Sequence, residues 1–280
     1  MSEVVLYDHP GPLARRRARI GTAAGGALLA VLAGLLLWRL ADRGQFDGEK
    51  WETFLDPDTW SGIRVGLTNT LKAALVAIVL AVVLGVLLAA GRLSDRAFVR
   101  APAVTVIEFF RAIPLLMLIF FFFLAFPNSL GSYGALVAGL MLYNGAVLAE
   151  IFRAGIFAVP KGQGEAAFSL GLRKSQVMRL VLVPQAVRTM LPAIVSQCVV
   201  VLKDTSLGFI VVYPELLQVA KQIYVGEFNI IPTVMVVAPI YIGMNMALSW
   251  AAHWLERRQR QRYGKEAVLS ADSVDLGKAV

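Results

Sequence analysis

Six long apolar segments constrain the fold of this chain more than any other feature. Each is long enough to cross a bilayer as a helix, which takes about 20 mainly apolar residues. Overall 58% of the residues are hydrophobic and 16% are charged, against about 25% charged residues in ordinary globular proteins. The sequence therefore predicts an all-α membrane protein with six transmembrane helices, at approximately 21–39, 65–91, 102–126, 133–158, 189–212 and 232–254.

The first apolar segment follows a basic cluster, Arg15-Arg16-Arg17-Ala18-Arg19, of the kind that also begins secretory signal peptides. The apolar stretch is long, and its exit, Trp38-Arg39-Leu40-Ala41-Asp42, has no small-x-small cleavage site. A retained helix is therefore favoured over a cleaved signal. The segment 46–55 that follows alternates bulky apolar and acidic residues, and it either lies along the outer surface or is a solvated linker.

The distribution of Lys and Arg predicts the orientation of the spans. Four segments are rich in these residues: 1–20, 92–101, 153–189 and 255–280. The two loops that alternate with them, 41–62 and 213–231, contain only Arg43, Lys50 and Lys221. Because basic residues accumulate in cytoplasmic loops, both termini are predicted to be cytoplasmic. The net charge of +8 is thus interpreted as an orientation signal, and no nucleic-acid partner is expected.

The long cytoplasmic loop 159–188 has a pattern of its own. Pro160 and Gly162 are predicted to end the incoming helix. A short helix from Glu165 to Leu170 would then stop at Gly171, and a second one from Ser175 to Val183 would end near Pro184. The expected result is a helix-turn-helix on the cytoplasmic face, with apolar side chains available to fill a groove on a partner: Phe168, Leu170 and Leu172.

This loop closely resembles the coupling signature of importer-type ABC transporter permeases, which is Glu-Ala-Ala, three residues, Gly, nine residues, then Ile-x-Leu-Pro. The matching residues here are Glu165, Ala166, Ala167, Gly171 and Pro184, with Val181 in place of Ile and Val183 in place of Leu. The resemblance extends to the polar amino acid branch of these permeases and covers approximately residues 63–254. Besides the signature residues, it rests on five stretches: 66–71, 110–116, 150–156, 159–163 and 202–207.

The resemblance implies a division of the chain into three parts. Residues 1–62 would form a cytoplasmic N-terminus, an added helix and an outer linker; 63–254 would be the type I ABC transmembrane domain with five core helices; and 255–280 would be a cytoplasmic tail. It also implies a multi-pass protein of a bacterial plasma membrane, in contact with lipid. The implied partners are an ABC ATPase dimer, an extracytoplasmic solute-binding protein and a second permease subunit, which the added first helix suggests is a different chain.

Catalysis is not expected in this chain. It contains no Gly-x-x-x-x-Gly-Lys-Ser/Thr phosphate loop, so ATP and Mg²⁺ are expected to be bound by the partner ATPase. No cofactor or metal site of its own is predicted.

Charged residues inside the apolar segments are the candidate substrate-pathway residues, because a charge at the centre of a membrane helix costs about 2.5–3.5 kcal/mol without a partner or a cavity. Lys203 and Asp204, followed by Thr205 and Ser206, are predicted to border the pathway; an ion-pair network that only fixes helix packing is an equally weighted alternative. Three further pathway candidates lie nearer the inner ends of their spans: Arg111, Pro114 and Glu150. Snorkelling to the inner surface competes with a pathway role for the two charged residues, and Pro114 is more readily explained by a helix end or kink.

The expected substrate is glutamate. Residues 7–12 and 109–114 resemble the corresponding stretches of glutamate permeases. Aspartate, glutamine and arginine remain alternatives, because the binding protein sets much of the specificity. An ion-coupled secondary transporter is the alternative from another class, but it would need internal repeats, and none is convincing.

Overall fold

A computed structural model of the chain describes residues 11–251 and Trp254. The predicted tail, 255–280, and residues 1–10, which include most of the stretch 7–12, lie outside the described part. The helices in chain order are α1 (Pro12–Asp42), α2 (Pro57–Arg92), α3 (Ala97–Ala112), α4 (Leu115–Ala125), α5 (Pro127–Phe157), α6 (Lys161–Ser169), α7 (Lys174–Gln176), α8 (Val183–Asp204), α9 (Leu216–Glu227) and α10 (Ile230–Ala251).

Five helical runs among the described residues are long and apolar enough to cross a membrane: α1, α2, α5, the run Lys174–Phe209 that contains α8, and α10. The pair α3 and α4 is a sixth candidate if it counts as one span. The predicted all-α membrane fold is therefore confirmed, while the number of crossings stays a prediction.

The third predicted span, 102–126, was wrong as a continuous helix. It is broken between α3 and α4, whose axes are bent by 97°. Ile113 at the break is extended, with φ −84° and ψ 130°, and Pro114 begins the next helix as its N-cap. Because a proline disfavours the helical conformation of the residue before it, this bend follows from Pro114. The role of Pro114 in shaping a helix end is confirmed.

The bundle is built around the contact between α2 and α5. Gly145 of α5 leaves room for Leu84, since an added Cβ would lie 2.8 Å from a methyl group of that side chain, and Gly85 of α2 does the same for Leu148. Small residues let membrane helices approach closely. The contact holds the middle of the domain together, and α3, α4 and α8 pack around it.

The segment before α2 packs against the helical domain. Residues Gly48–Leu55 form a 3-10 helix, and Phe54 is buried in a cluster with Leu216 and Val237. The indole nitrogen of Trp60 donates to the carbonyl of Phe54 at 2.8 Å. The solvated-linker alternative was therefore wrong.

Candidate coupling surface and substrate pathway

The loop after α5 is ordered around α6. Pro160 is the N-cap of this helix, which runs from Lys161 to Ser169. Gly162 lies inside it, so the prediction that Gly162 breaks the incoming helix was wrong; Pro160 alone ends the connection. Of the Glu-Ala-Ala residues, Ala167 is buried while Glu165 and Ala166 are exposed.

Gly171 ends α6 as expected, in the left-handed conformation with φ +80°. The N–H of Gly171 donates to the carbonyl of Phe168 at 2.9 Å, and that of Leu172 donates to the carbonyl of Ala167 at 3.3 Å. These two bonds are the pair that defines a Schellman motif at a helix C-terminus. The predicted stop signal is confirmed, and any other residue at position 171 would hold a strained backbone.

The prediction that a second short helix ends near Pro184 was wrong. The chain is helical without a break from Lys174 to Phe209, because a π-helical segment, Val177–Leu182, joins α7 to α8. In a regular α-helix the ring of Pro184 would meet the carbonyl of residue 180, and the wider π turn lets the helix pass the proline. The second helix of the predicted helix-turn-helix is therefore the base of one long helix, while α6 and the turn at Gly171 remain as separate elements.

Three contacts connect α6, the base of the long helix Lys174–Phe209 and the rest of the domain. Ala167 and Val177 are both buried where α6 packs on the π segment. The amide of Gln185 donates to that of Gln163 at 3.3 Å. Lys174 forms an ion pair with Asp95 in the loop after α2. A movement of α6 would therefore be passed on to α8 and to the end of α2.

The opposite face of the loop is exposed and apolar. Phe168 has 51% and Leu170 has 82% of its surface exposed, although both are large hydrophobic residues. Two of the three apolar side chains expected to face a partner are thus fully available, and Leu172 is half-buried.

Two of the predicted pathway residues, Arg111 and Glu150, belong to an ion-pair network at the end of α2. Its centre is Arg92, which lies 2.7 Å from Glu150 of α5 and 3.2 Å from Glu108 of α3. Arg153 pairs with Glu150 at 3.1 Å, and Arg111 pairs with Glu108 at 3.6 Å. The pairs Glu108–Arg111 on α3 and Glu150–Arg153 on α5 could be recognised in the sequence, because their members are three residues apart. Arg92 was missed because its partners lie on two other helices.

The other predicted pathway residues lie at the far end of α8, where the α-helix changes to the 3-10 turn Thr205–Phe209. Thr205 is buried, and its hydroxyl donates to the carbonyl of Leu202 at 2.6 Å. The hydroxyl of Tyr241 on α10 lies 3.3 Å from the carbonyls of Leu202 and Lys203. Lys203 is exposed, and Asp204 is half-buried. The predicted pathway residues therefore form two separate groups, one at each end of the bundle.

A junction between α2 and the start of α9 was missed by the sequence reasoning. Glu215, fully buried, is the N-cap of α9 and accepts hydrogen bonds from the N–H groups of Leu217 and Gln218 at 2.9 and 2.7 Å. Burial raises the pKa of its carboxyl to about 7. The N–H of Leu216 donates to the hydroxyl of Thr70 at 3.1 Å. Acidic residues are enriched at the start of helices, so the position of Glu215 before an apolar run was a sequence signal, whereas its burial follows from the contact with α2.

A small basic pocket of about 300 Å³ lies on α2. Its lining includes Arg64, Thr68 and Lys72, which are spaced four residues apart and therefore share one helix face. No ion pair joins Arg64 or Lys72 to a carboxylate within the described part of the chain. The pocket can accept an anionic group of small-molecule size.

Comparison with known proteins now identifies the class of this molecule. Residues 81–261 match the family described as "Binding-protein-dependent transport system inner membrane component". The chain belongs to this family. It is accordingly a permease subunit of an ABC transport system of the inner membrane, not an enzyme, and the family implies an ATPase and a binding protein as partners.

Individual relatives agree with this family. The glutamate transport system permease protein GluD of Corynebacterium glutamicum is 40% identical over 238 residues, which cover 82% of this chain and 87% of GluD. The probable glutamine ABC transporter permease protein GlnP of Bacillus subtilis is 36% identical and covers 71% of this chain and 93% of GlnP. A solved chain described as "Crystal structure of an amino acid ABC transporter with histidines" superposes with a TM-score of 0.67 at 31% identity, covering 71% of this chain and 94% of that one. The predicted permease class is confirmed, and the secondary-transporter alternative is not supported.

Proposed function

We propose that this permease subunit imports glutamate. The observation that carries the proposal is the 40% identity to GluD over most of both chains. The basic pocket on α2 supports it, because Arg64 and Lys72 can attract a net-negative amino acid. Aspartate and glutamine are the nearest alternative substrates, and arginine fits this pocket least well because its side chain is cationic.

The proposed mechanism places α6 against the ATPase dimer. Both termini and α6 lie in the cytoplasm, in line with the basic residues on that side of the chain. Phe168 and Leu170 fill a groove on the ATPase, which binds ATP and Mg²⁺. When the ATPases close, α6 moves with them and carries the long helix through α8, so that this subunit and a second, different permease chain rock around a midplane site. The residues at the end of α8, from Lys203 to Ser206, border the pathway that leads from one side of the membrane to that site.

The docking part of this mechanism is tested with Glu165→Ala and Gly171→Ala. We expect both variants to lose stimulation of ATPase activity by the binding protein, since Ala at position 171 adds about 1–2 kcal/mol of left-handed backbone strain and changes the presentation of Phe168. Gly162→Ala is the matched control, because that glycine is helical and has nothing within 4 Å of an added Cβ. Full stimulation in both test variants would contradict the docking assignment.

The pathway part is tested by uptake into vesicles that contain the complete complex. Lys203→Ala should abolish uptake while the complex still assembles. Lys50→Ala, which removes a cation from the outer 3-10 helix, is the control and should leave uptake unchanged. Normal uptake by Lys203→Ala would assign Lys203 to helix packing.

The basic pocket is tested by selectivity. Arg64→Gln and Lys72→Gln should raise the KM for glutamate several-fold and leave the KM for glutamine nearly unchanged, because only glutamate carries a side-chain charge. Arg43→Gln removes a basic residue that does not line the pocket and should change neither value. Equal effects on both substrates would show that the two cations do not select the acidic side chain.

A further inference from the structure

Two cavities meet beside the end of α2. The first is a groove of about 690 Å³ between α2, α5 and α8, lined mainly by apolar side chains such as Val86, Ala90, Val187 and Met190. The second, of about 660 Å³, lies between α6, the loop after α2 and the end of α5. They share six lining residues: Leu93, Ser94, Asp95, Ile156, Lys174 and Met178. The two spaces therefore adjoin along these residues, and we treat them as the two parts of one groove.

The second cavity is the charged mouth of this groove. Five basic residues line it, Arg92, Arg100, Arg153, Lys161 and Lys174, against two acidic ones, Asp95 and Glu165. Three of the cations already have carboxylate partners, since Arg92 and Arg153 pair with Glu150 and Lys174 pairs with Asp95.

The remaining two cations are available to an anion. Neither Arg100 nor Lys161 makes an ion pair in the part of the chain that the structure describes, and both are exposed. Basic pockets at the membrane end of helices are a recognised form of anionic-lipid site.

We propose that the groove binds one anionic phospholipid, with its phosphate between Arg100 and Lys161 and an acyl chain along the apolar wall. The shape of the site argues for this occupant. A free phosphate would use the mouth and leave the groove empty, and a polar amino acid would place its charges against apolar side chains at a high desolvation cost. The groove wall belongs to α2 and α8, two of the helical runs apolar enough to span the membrane.

The bound lipid would also contact α6, on the side of this helix that lines the mouth of the groove. Lys161, Gly164, Glu165 and Phe168 of α6 line the mouth, while Leu170, which does not line it, is 82% exposed. The lipid therefore supports α6 in the position from which it meets a partner. This binding site is independent of which amino acid the complex transports.

The first test is native mass spectrometry of the complete complex titrated with phosphatidylglycerol and, separately, phosphatidylcholine. The double variant Arg100→Gln/Lys161→Gln should bind phosphatidylglycerol about 30-fold more weakly, since each basic residue at an anionic lipid surface contributes roughly a factor of five. Arg16→Gln/Arg17→Gln is the control, because it removes the same charge from α1 without touching the groove. Unchanged phosphatidylglycerol binding in the first variant, or no preference for it over phosphatidylcholine in the unmodified complex, would overturn the proposal.

The second test separates a lipid from a free anion. Ala90→Phe narrows the apolar groove at an exposed position that lines the apolar cavity and not the charged mouth. It should weaken binding of long-chain phosphatidylglycerol. Basal ATPase activity of the complex checks that this variant is folded. If glycerol phosphate or inorganic phosphate displaces the lipid at equal concentration and Ala90→Phe has no effect, the mouth is a site for free anions and the lipid assignment is wrong.

Discussion

Helices α1 and α5 are both 31 residues long and both apolar enough to span a membrane, yet they pack in opposite ways. In α5, 61% of the residues in its 18-residue apolar stretch are buried within this chain. In α1, none of the residues in the corresponding stretch is buried. Hydropathy therefore predicts where a helix can reside but not what it contacts. The difference separates a helix that organises this domain from one that faces lipid or another subunit.

Glycine illustrates the difference most clearly. In α5, Gly139 and Gly155 sit directly against Ile119 and Met190, where an added Cβ would come within 3 Å of each side chain. In α1, Gly21 and Gly25 have nothing within 4 Å of such a Cβ. Glycine is thus required for close packing in α5, whereas nothing in this chain requires glycine at these positions of α1.

Charge provides the largest expected difference, because each helix contains a carboxylate held in an ion pair: Glu150 in α5 pairs with Arg92 of α2, and Asp42 in α1 pairs with Arg39. Arg92 and Glu150 are each only 18% exposed. Arg92→Gln removes the shorter of the two ion pairs of Glu150 and leaves this largely buried carboxylate with Arg153 alone. We expect it to destabilise the permease by about 3 kcal/mol, the low end for a broken buried pair. Arg39 and Asp42 in α1 are 57% and 50% exposed, and Arg39→Gln should cost less than about 0.5 kcal/mol. Thermal unfolding of both variants in the same detergent measures the difference, and equal shifts would contradict it.

Packing gives the next largest effect. Gly139→Ala places a methyl group 2.6 Å from Cγ1 of Ile119 and 3.2 Å from its backbone nitrogen, so overpacking should cost about 1–3 kcal/mol. The same substitution at Gly25 should cause no loss, since Ala is the better helix former by about 1 kcal/mol. The two unfolding temperatures, measured side by side, decide the point. A destabilising Gly25→Ala would show that α1 packs tightly against something.

Replacement of the whole apolar part of α1 should have the smallest effect on the domain. We expect a segment of mixed Leu and Ala in place of residues 21–37 to leave the unfolding temperature of the permease within about 1 °C, because α1 buries no residue in this chain. If assembly with the second permease subunit is lost while the permease itself stays folded, α1 belongs to the subunit interface. A large loss of stability in the isolated permease would refute the packing difference.

Much of the fold follows from the sequence. The positions of α1, α2, α5 and α10 were predicted from apolar length alone, and Gly171 was recognised as a helix stop because an exposed glycine after a short helix favours the left-handed conformation. Pro160 and Pro114 likewise mark the helix breaks that the structure contains.

The errors have a common cause in tertiary context. Pro184 was expected to end a helix, but a π segment lets the helix continue, and no local pattern predicts a π segment. Pro114 could either kink or end the helix in this apolar run, and the sequence does not determine the size of the bend between α3 and α4. Arg92 was missed because the carboxylates that it joins are distant in sequence, and Glu215 was missed because its burial depends on contact with α2.

The central claim is that this subunit is half of an ATP-driven glutamate importer. It is tested most directly by uptake of radiolabelled L-glutamate into proteoliposomes containing the complete complex and its binding protein, with each common polar amino acid as a competitor. The account predicts ATP-dependent uptake in which unlabelled glutamate competes most strongly, aspartate less, and glutamine and arginine least. ATP-dependent uptake of another amino acid, without uptake of glutamate, would contradict the account.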